Sequence, residues 1–482
     1  MSVVQAPIFP PQSLTEALEQ DIQRVFEAQR AVALRLRTST VDERLAKLER
    51  LRDVLLQQRE AITEAAARDF RRPPLEVDFT ELMPVLMDIS DCRRRLRKWL
   101  RPRRVRPTMM MLGTRAWVRY EPRGRCLIIA PWNYPVNLTL GPLVPAIASG
   151  NTVMIKTSEI APHLSAVLVK IVREVFDETE VAIFEGDASV AEALLALPFD
   201  HCFFTGSPAI GKLVMGAAAR HLTSVTLELG GKSPVVVDRS ADVELAARTI
   251  AWGKFINSGQ TCIAPDHIHV HESVRERFVA CLRADLDAWY GEGRAAREAE
   301  LSRVVNERHT RRVAALIDDA RARGARVLYG GEVDVAAHFV SPTLLDNLPD
   351  DARIMHEEIF GPVLPILPFR ELDEVVERIN AAPKPLALYI WSRDAAASDA
   401  LIARTSAGGT CVNHVAAHFL HHNLPFGGVN HSGIGSYHGE WGIRAFSHER
   451  AIVKTQVMLA RLFFPPYTPR LRKILGWLLK HL

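Results

Sequence analysis

Thr152-Val-Met-Ile-Lys156 and the following His163-Leu-Ser-Ala-Val-Leu-Val-Lys-Ile-Val-Arg-Glu-Val-Phe176 show most clearly the pattern from which the fold can be predicted. The first segment is a short apolar run, and the second has apolar residues at helical spacing. Short apolar runs that alternate with amphipathic helices are typical of a parallel sheet covered on both faces. The stretch therefore predicts a buried strand over 152–156 and a helix over 163–176.

The same alternation extends in both directions from this stretch. Cys126-Leu-Ile-Ile-Ala130 predicts an earlier strand, and strands and helices continue to alternate through Leu229. A second series starts at Pro234-Val-Val-Val-Asp238 and continues to about Val412. The sequence therefore predicts an α/β protein with two successive sheet-forming series.

The N-terminal region contains two patterns of helix starts. Ser13-Leu-Thr-Glu16 and Thr40-Val-Asp-Glu43 both fit the capping box, in which a hydroxyl and a carboxylate satisfy free amides reciprocally. The basic run from Arg93 to Arg106 predicts a solvated helix face, ended by Pro102, rather than a nucleic-acid contact.

A further segment, Met109 to Tyr120, predicts an extended hairpin with a Leu112-Gly113-Thr114 turn in its middle. Exposed hairpins of this kind often serve subunit contacts.

Composition limits the classes of function. The chain has 482 residues, 60 Lys and Arg against 56 Asp and Glu, and a formal net charge of +4, which is too small to indicate a nucleic-acid binder. Six cysteines without a C-x-x-C pair do not form a disulfide framework. Neither a secretory signal nor a bilayer-spanning apolar run is present. We therefore expect a multi-domain cytoplasmic protein.

Three residues stand in positions where their chemistry is useful. Cys262 lies in the small polar loop 257–263, where an accessible and ionised thiol acts as a nucleophile. Glu228 ends an apolar strand, and burial there raises a carboxyl pKa toward that of a general base. Asn133 follows a strand and precedes a proline turn, where its amide can donate to an oxyanion. The alternatives are a core cysteine, a solvated glutamate and an ordinary turn asparagine.

A phosphate-binding turn is indicated at Thr205-Gly206-Ser207, which leads through Gly211-Lys212 into a predicted helix. The free amides of a helix N-terminus suit a pyrophosphate. Leu213 stands where a P-loop has a hydroxyl for Mg²⁺, which counts against a nucleotide hydrolase. An ordinary tight turn remains the alternative.

The histidines and the tail carry weaker signals. His414, His418, His421 and His422 have a spacing that suits a metal, but no cysteine or acidic ligands accompany them, so we predict no metal site.

In the tail beyond residue 458, an amphipathic helix is predicted with basic residues on one face. We expect this helix to contact either a membrane surface or a partner subunit. Its apolar stripe comprises Leu471, Ile474, Leu475, Leu478 and Leu482.

Several motifs occur together in a specific order. The chain resembles the NAD(P)-dependent aldehyde dehydrogenases from about Glu16 to Lys454, and most resembles the class 3 branch with its fatty-aldehyde and coniferyl-aldehyde enzymes. The motifs that carry the resemblance are PWNYP (131–135), IKTSE (155–159), FTGSPAIGK (204–212), LELGGKSP (227–234), GQTC (259–262), EEIFGP (357–362) and LPFGGVNHSG (424–433).

The resemblance implies an aldehyde dehydrogenase-like fold with a Rossmann-type cofactor domain, an α/β catalytic domain and a small β oligomerisation element. The cofactor domain would comprise 1–102 and 122–229, and the catalytic domain 230–422. The bridging element would comprise 103–121 and 423–458, and the amphipathic tail 459–482. A homodimer is implied as well.

The resemblance also implies that an aromatic or a medium- to long-chain aliphatic aldehyde is oxidised to the acid, through a thiohemiacetal and a thioester. NAD would be the cofactor, with NADP as a second possibility. An inactive family member that serves as a binding protein is the alternative, and a dehydrogenase that passes its thioester to coenzyme A is disfavoured by Glu228.

The resemblance assigns roles by position. Cys262 would be the nucleophile, Glu228 the base for the deacylating water and Asn133 the oxyanion donor. The cofactor contacts would be Lys156, Glu159, Thr205, Gly206, Ser207, Gly211, Glu358 and Phe360, and the substrate contacts Tyr134 and His431. The family usually has glycine where Asn430 stands, and His431 adds bulk, so the pocket rather than the catalysis is affected.

Overall fold

The computed structural model describes residues 13–108, 111–291, 300–458, 461 and 464–481. Helices in these ranges cover both faces of two parallel sheets. Their bounds are Glu16–Leu36, Val41–Gln57, Arg59–Phe70, Pro74–Val77, Met83–Trp99, Pro135–Ser149, Pro162–Val175, Ala188–Leu195, Pro208–Ala219, Val243–Phe255, Glu272–Tyr290, Glu307–Ala322, Arg353–His356, Leu372–Ala381, Ala395–Arg404, Ala417–Leu420, Gly439–Ala445 and Pro469–Leu479, with a π-helical turn at Asp78–Leu82 and a 3₁₀ turn at Ile256–Gly259.

The first sheet has six strands and includes the strand predicted at 152–156. In chain order its strands are β3 (Arg125–Ile129), β4 (Thr152–Lys156), β5 (Val181–Phe184), β6 (His201–Gly206), β7 (Ser224–Leu229) and β17 (Gly433–Ile434). Their spatial order is β17-β7-β6-β3-β4-β5, and only β17 runs antiparallel to its neighbour. The strand predicted at 152–156 is confirmed, and the helix predicted at 163–176 lies one residue earlier, at Pro162–Val175.

The second sheet has seven strands: β8 (Pro234–Val237), β9 (His267–His271), β10 (Arg326–Tyr329), β13 (Thr343–Asp346), β14 (Val363–Phe369), β15 (Ala387–Trp391) and β16 (Gly409–Val412). Their spatial order is β10-β13-β14-β9-β8-β15-β16, and all neighbours are parallel except β10 and β13. The strands β11 (Val333–Asp334) and β12 (Phe339–Val340) form a separate small hairpin.

Both sheets have buried strands because helices cover them. All five residues of β4, all four of β8 and all five of β15 are buried, as expected for parallel strands between helical layers. Only Gly230 to Ser233 separate β7 from β8, so the carboxyl edge of the first sheet faces the amino edge of the second.

The two predicted helix starts had different outcomes. The Thr40 capping box is confirmed: its hydroxyl accepts from the Glu43 amide, and the Glu43 carboxylate accepts from the Thr40 amide. The Ser13 box is wrong, because Thr15 caps the first helix and accepts from the Leu18 amide. Ser13 instead donates its hydroxyl hydrogen to Asp187 of another element.

A third, three-stranded antiparallel sheet projects from the body. It consists of β1 (Arg103–Val105), β2 (Thr114–Pro122) and β18 (Ser447–Thr455), in the order β1-β2-β18. The predicted hairpin is therefore displaced: Leu112 and Gly113 precede β2 rather than dividing it, and Met109 lies outside the described residues. The basic run is also divided, because its helix ends at Trp99 and β1 follows Pro102.

Candidate active site in the cleft between the sheets

Strand order places two loops at the mouth of one cleft. Strand β3 pairs with β4 on one side and with β6 on the other, so the chain leaves β3 at a topological switch point. In open parallel sheets, ligands bind at this point, beyond the carboxyl ends of the strands. Asn133 follows β3 and Ser207 follows β6, so both predicted site residues lie there.

A cavity of about 250 Å³ occupies this cleft. It brings together eight of the residues predicted from sequence: Asn133, Thr205, Gly206, Ser207, Glu228, Cys262, Glu358 and Phe360. The rest of its lining is Pro131, Trp132, Leu138, Leu229, Gly230, His309 and Arg312.

Cys262 reaches the cavity from a strained turn. Asn257, Ser258 and Gly259 have φ values of 49°, 52° and 71°, a left-handed path that non-glycine residues rarely adopt. Burial, aided by the nearby Glu358 and Glu228 carboxyls, raises the pKa of the Cys262 thiol to about 12. The thiol therefore carries its proton at neutral pH in this structure.

Glu228 lies at the carboxyl end of β7, and its residue is only 4% exposed. Neither of its carboxyl oxygens has a hydrogen-bond partner in the described part of the chain. Burial without a partner raises its pKa well above the ordinary value. A buried unpartnered carboxyl is costly to keep, and such groups cluster at functional sites.

Asn133 is held from several sides. Its side-chain amide donates to the Gln260 carbonyl at 3.0 Å, which ties the loop after β3 to the Cys262 loop. Its own carbonyl accepts from Asn257 at 2.9 Å and from Arg72 at 2.7 Å. The amide carries a second hydrogen, which leaves one donor for a ligand.

The turn after β6 provides the helix N-terminus that a pyrophosphate needs. The Ser207 hydroxyl caps helix Pro208–Ala219 by accepting from the Ile210 amide. A Cβ on Gly206 would lie 2.5 Å from the Phe204 ring, so the backbone stays bare where it lines the cavity. Gly211 has a different role: a Cβ there would lie 2.7 Å from Leu229, so this glycine packs the helix on the sheet.

Glu358 and Phe360 enter the cavity from the segment that precedes β14. Burial raises the pKa of Glu358 to about 7, although its carboxylate accepts from the Gly231 amide. Arg312 donates to the carbonyl oxygens of Glu358 and Ile359 and so holds this segment in place. The Phe360 ring packs edge-on against Trp132, with 5.4 Å between ring centroids.

Sequence reasoning missed His309 and Arg312. Both lie on helix Glu307–Ala322, three residues apart and hence on one face, and His309 packs against Trp132 with centroids 5.0 Å apart. Helical spacing was the available signal, but it does not tell which face meets the cleft. Arg72 was also missed, because it lies in the connection after helix Arg59–Phe70, where no periodic pattern applies.

The remaining predicted residues lie outside the cavity lining. Lys156 is buried at the end of β4 and donates to Glu159 at 2.9 Å. The Tyr134 hydroxyl is 2.6 Å from that of Thr261, next to Cys262. His431 is exposed in the turn before β17. Asn430 accommodates this turn with φ 55°.

The histidines of the 414–422 segment are dispersed among different partners. His418 lies on a four-residue helix with its Nδ1 3.1 Å from the Cys411 sulfur, and the Nδ1 of His422 lies 2.8 Å from Asp88. In the described ranges, no group of three or more His, Cys, Asp and Glu side chains is arranged to hold a metal ion.

Comparison with known proteins gives the same picture. The model of the aldehyde dehydrogenase family matches residues 11–452 of the chain. The 4,4'-diaponeurosporen-aldehyde dehydrogenase of Staphylococcus aureus is 38% identical over 94% of this chain and 98% of its own. The dimeric NADP-preferring aldehyde dehydrogenase of Canis lupus familiaris is 38% identical over 94% of this chain and 99% of its own.

A solved structure is similar over the same extent. The substrate-bound state of Staphylococcus aureus AldH superposes with a TM-score of 0.90 and 37% sequence identity, covering 95% of this chain and 99% of that one. The overall fold is thus shared with a structure of related sequence.

The raised pKa of the Cys262 thiol predicts its reactivity in the cofactor-free protein. Alkylation by iodoacetamide requires the thiolate, so its rate at Cys262 should rise about tenfold per pH unit near neutrality, without a plateau below pH ~9. Glu358→Gln should accelerate alkylation, because it removes a carboxylate that disfavours the thiolate. Peptide mass spectrometry on a Cys281→Ser background measures the rate, because Cys281 is the other cysteine whose residue is partly exposed. A plateau near neutral pH would show that another group stabilises the thiolate.

Proposed function

Because the chain belongs to the aldehyde dehydrogenase family, and so is an enzyme that oxidises aldehydes with NAD(P)⁺, we propose catalytic roles for the residues that line its cavity. The proposal rests on one observation: Cys262, Glu228 and Asn133 line the same cavity as the turn 205–207. The proposed nucleophile, base and oxyanion donor therefore adjoin a helix N-terminus that suits a pyrophosphate.

The first half-reaction forms a thioester. The Cys262 thiol loses its proton to solvent, and the sulfur adds to the aldehyde carbon, so that the carbonyl electron pair moves onto oxygen. The free Asn133 amide hydrogen and the Cys262 backbone N–H stabilise this oxyanion. When the oxyanion re-forms the carbonyl, the carbon–hydrogen bond breaks and the hydride leaves, which gives the thioester. Bound NAD(P)⁺ would supply the positively charged ring that accepts this hydride and favours the neighbouring thiolate.

The second half-reaction releases the acid. Glu228, as carboxylate, takes a proton from a water molecule, and the resulting hydroxide adds to the thioester carbon. Collapse breaks the carbon–sulfur bond and returns Cys262 as thiolate. Glu228 is buried and has no hydrogen-bond partner in the described ranges, so no competing hydrogen bond has to break before it acts as a base.

The residues around the cavity fit NAD(P). A capped helix N-terminus and a bare Gly206 backbone suit the pyrophosphate, and Glu358 and Phe360, which line the same cavity, are proposed to contact the nicotinamide riboside. We propose that NAD is preferred and NADP accepted. The Glu159 carboxylate would repel a 2′-phosphate, while Lys156, already paired with Glu159, would attract one.

The substrate is proposed to be an aromatic or a medium- to long-chain aliphatic aldehyde. Trp132 and Leu138 give the cavity apolar walls, and the buried Tyr134 adjoins the Cys262 loop. Tyr134 and His431 are proposed to contact the substrate beyond the cavity. A hydrolytic outcome rather than transfer to coenzyme A is favoured because Glu228 is present.

A homodimer is proposed from the exposed three-stranded sheet. All three residues of β1 are exposed, as are seven of the nine residues of β18. A small sheet with little cover is marginally stable unless something packs on it. A second copy of the chain would provide that cover, and the canine relative is named as dimeric. We propose in addition that the cofactor domain comprises residues 1–102 and 122–229, and the catalytic domain residues 230–422. The bridging element would comprise 103–121 and 423–458, and the tail 459–482.

Peripheral membrane contact by a cytoplasmic enzyme is proposed through helix Pro469–Leu479. No helix among the described residues is long and apolar enough to cross a bilayer. This helix has no buried residue, and Ile474 and Trp477 are 48% and 61% exposed. Between Arg450 and Leu482 the sequence has seven Lys or Arg and no Asp or Glu, which suits an anionic surface. Leu482, the last residue of the predicted stripe, lies outside the described residues.

The nucleophile assignment predicts that Cys262→Ala abolishes aldehyde oxidation while cofactor binding persists, since the thiol performs chemistry and does not hold the cofactor. Steady-state NADH formation and NAD titration by intrinsic fluorescence measure the two properties. Cys281→Ala is the matched control and should keep full activity. Substantial oxidation by the Cys262 variant would refute the assignment.

The base assignment predicts that Glu228→Gln gives a single burst of NADH and then turns over about 10²–10⁴-fold more slowly, because the thioester is no longer hydrolysed. Intact-protein mass spectrometry should detect the acyl adduct on Cys262. In the unchanged enzyme, thioester hydrolysis should accelerate as pH rises through the raised pKa of Glu228. Turnover close to that of the unchanged enzyme would mean that another group activates the water.

The tail assignment predicts that a chain ending at Thr468 no longer co-sediments with phosphatidylcholine vesicles that contain phosphatidylglycerol, and loses preference for long aliphatic aldehydes. Two full-length controls separate the causes. Arg472→Gln with Lys473→Gln removes charge, and Ile474→Ser with Trp477→Ser removes apolar contact; each should weaken binding. Light scattering tests the alternative: a truncated chain that turns monomeric would make the helix a subunit contact.

A further inference from the structure

Arg72 is a charged side chain at the centre of the site's supporting structure. It follows helix Arg59–Phe70, whose end is turned by Arg71 in a left-handed conformation, φ 52°. Its side chain is completely buried. One terminal nitrogen donates to the Glu81 carboxylate at 2.6 Å, and the other donates to the Asn133 carbonyl and to the Asn257 side-chain oxygen, both at 2.7 Å.

Glu81 extends this contact to the other side of Asn133. Its second carboxylate oxygen accepts from the backbone amides of Val136 and Asn137, at 3.0 and 2.9 Å. These amides belong to the first turn of helix Pro135–Ser149 and have no intrahelical partner. The Arg72–Glu81 pair therefore fixes both the carbonyl of Asn133 and the helix that starts two residues after it.

Asn257 extends the same contact to the Cys262 loop. Its side-chain amide donates to the carbonyls of Asn133 and Gln260, at 2.9 and 3.2 Å. Its backbone is in the strained left-handed region, so the turn depends on the contacts around it. The Arg72 guanidinium accordingly joins the loop with the oxyanion donor to the loop with the nucleophile.

Building on the proposed roles of Asn133 and Cys262, we propose that Arg72 is a positioning residue for the oxyanion site: it sets where the Asn133 amide lies relative to Cys262. It is not a catalytic residue, because both of its terminal nitrogens donate to protein acceptors.

Positioning Asn133 in this way requires the planar guanidinium group of an arginine. Three acceptors on three separate elements are bound by two terminal nitrogens in one plane, a geometry that a lysine ammonium cannot reproduce. Arg72→Lys keeps the charge that Glu81 requires when buried, so it is the variant that tests position rather than charge. Arg72→Met would leave Glu81 buried without its cation and is unsuitable because it endangers folding.

A double-mutant cycle with Asn133→Ala tests the proposal. Arg72→Lys alone should slow the NADH burst by roughly 10²-fold, the effect of a misplacement of about 1 Å, with the KM for NAD changed by about twofold or less. In the Asn133→Ala background, the same substitution should slow the burst by only about threefold or less, because the group being positioned is absent.

Arg44→Lys is the matched control. Arg44 is also a buried arginine. It donates to the carbonyls of Ala148 and Ser149, at the C-terminal end of helix Pro135–Ser149, whereas Arg72 and Glu81 act at the N-terminal end. This variant should lower the melting temperature while leaving the burst rate within about twofold. The proposal fails if the fold-reductions of the burst rate caused by Arg72→Lys and by Asn133→Ala simply multiply in the double variant. It also fails if Arg44→Lys slows the burst as much as Arg72→Lys does. In either case Arg72 has only a structural role.

Failure of the proposed function gives a different result. If Asn133→Ala leaves the burst unchanged, Asn133 is not the oxyanion donor, and the proposed role of Asn133 fails. A slow burst in Arg72→Lys under that condition would show that Arg72 acts through another group, which also overturns its assignment to Asn133. Circular dichroism of every variant establishes that each one is folded.

Discussion

Four residues, Gly230 to Ser233, carry the chain from the end of β7 in one sheet to the start of β8 in the other, and the arrangement of the cleft depends on this short crossing. A Cβ on Gly230 would collide with the Glu358 carboxylate, so a side chain there would displace this carboxylate from the cavity. The Lys232 ammonium donates to Asp266 and to the carbonyls of Ile354 and Glu357. The crossing thus fixes the carboxyl edge of the first sheet against the amino edge of the second, and Glu228 meets Cys262 there.

Low polarity in this cleft has opposite consequences for stability and for chemistry. Two carboxyls and a thiol whose pKa values are raised by loss of solvation are expensive to maintain, and Glu228 lacks any hydrogen-bond partner among the described residues. The same environment strengthens every interaction with a charge that develops during reaction. The surrounding scaffold offsets the cost through its two sheets, whose central strands are buried on both faces.

Away from the cleft, two elements expose apolar side chains of a kind that proteins usually bury. The β1-β2-β18 sheet and helix Pro469–Leu479 both present apolar side chains to solvent, Val453 at 60% and Leu479 at 66% exposure. The chain runs from one to the other, because β18 ends at Thr455 and the helix begins 14 residues later. Both elements therefore leave apolar surface open to a partner, and they lie close together in the sequence.

Sequence alone determined the features that depend on local chemistry. Strand β4 and the Thr40 capping box follow from residues adjacent in the chain, and the motifs around Asn133, Glu228 and Cys262 carry the family resemblance. Local reasoning failed at Ser13, where a distant acceptor, Asp187, took the hydroxyl and left Thr15 as the cap. Only tertiary structure made Arg72, His309 and Arg312 part of the site. Arg72 contacts Asn133 across 61 positions of sequence and Asn257 across 185, and no local pattern encodes which acceptors a buried guanidinium meets once distant loops pack together.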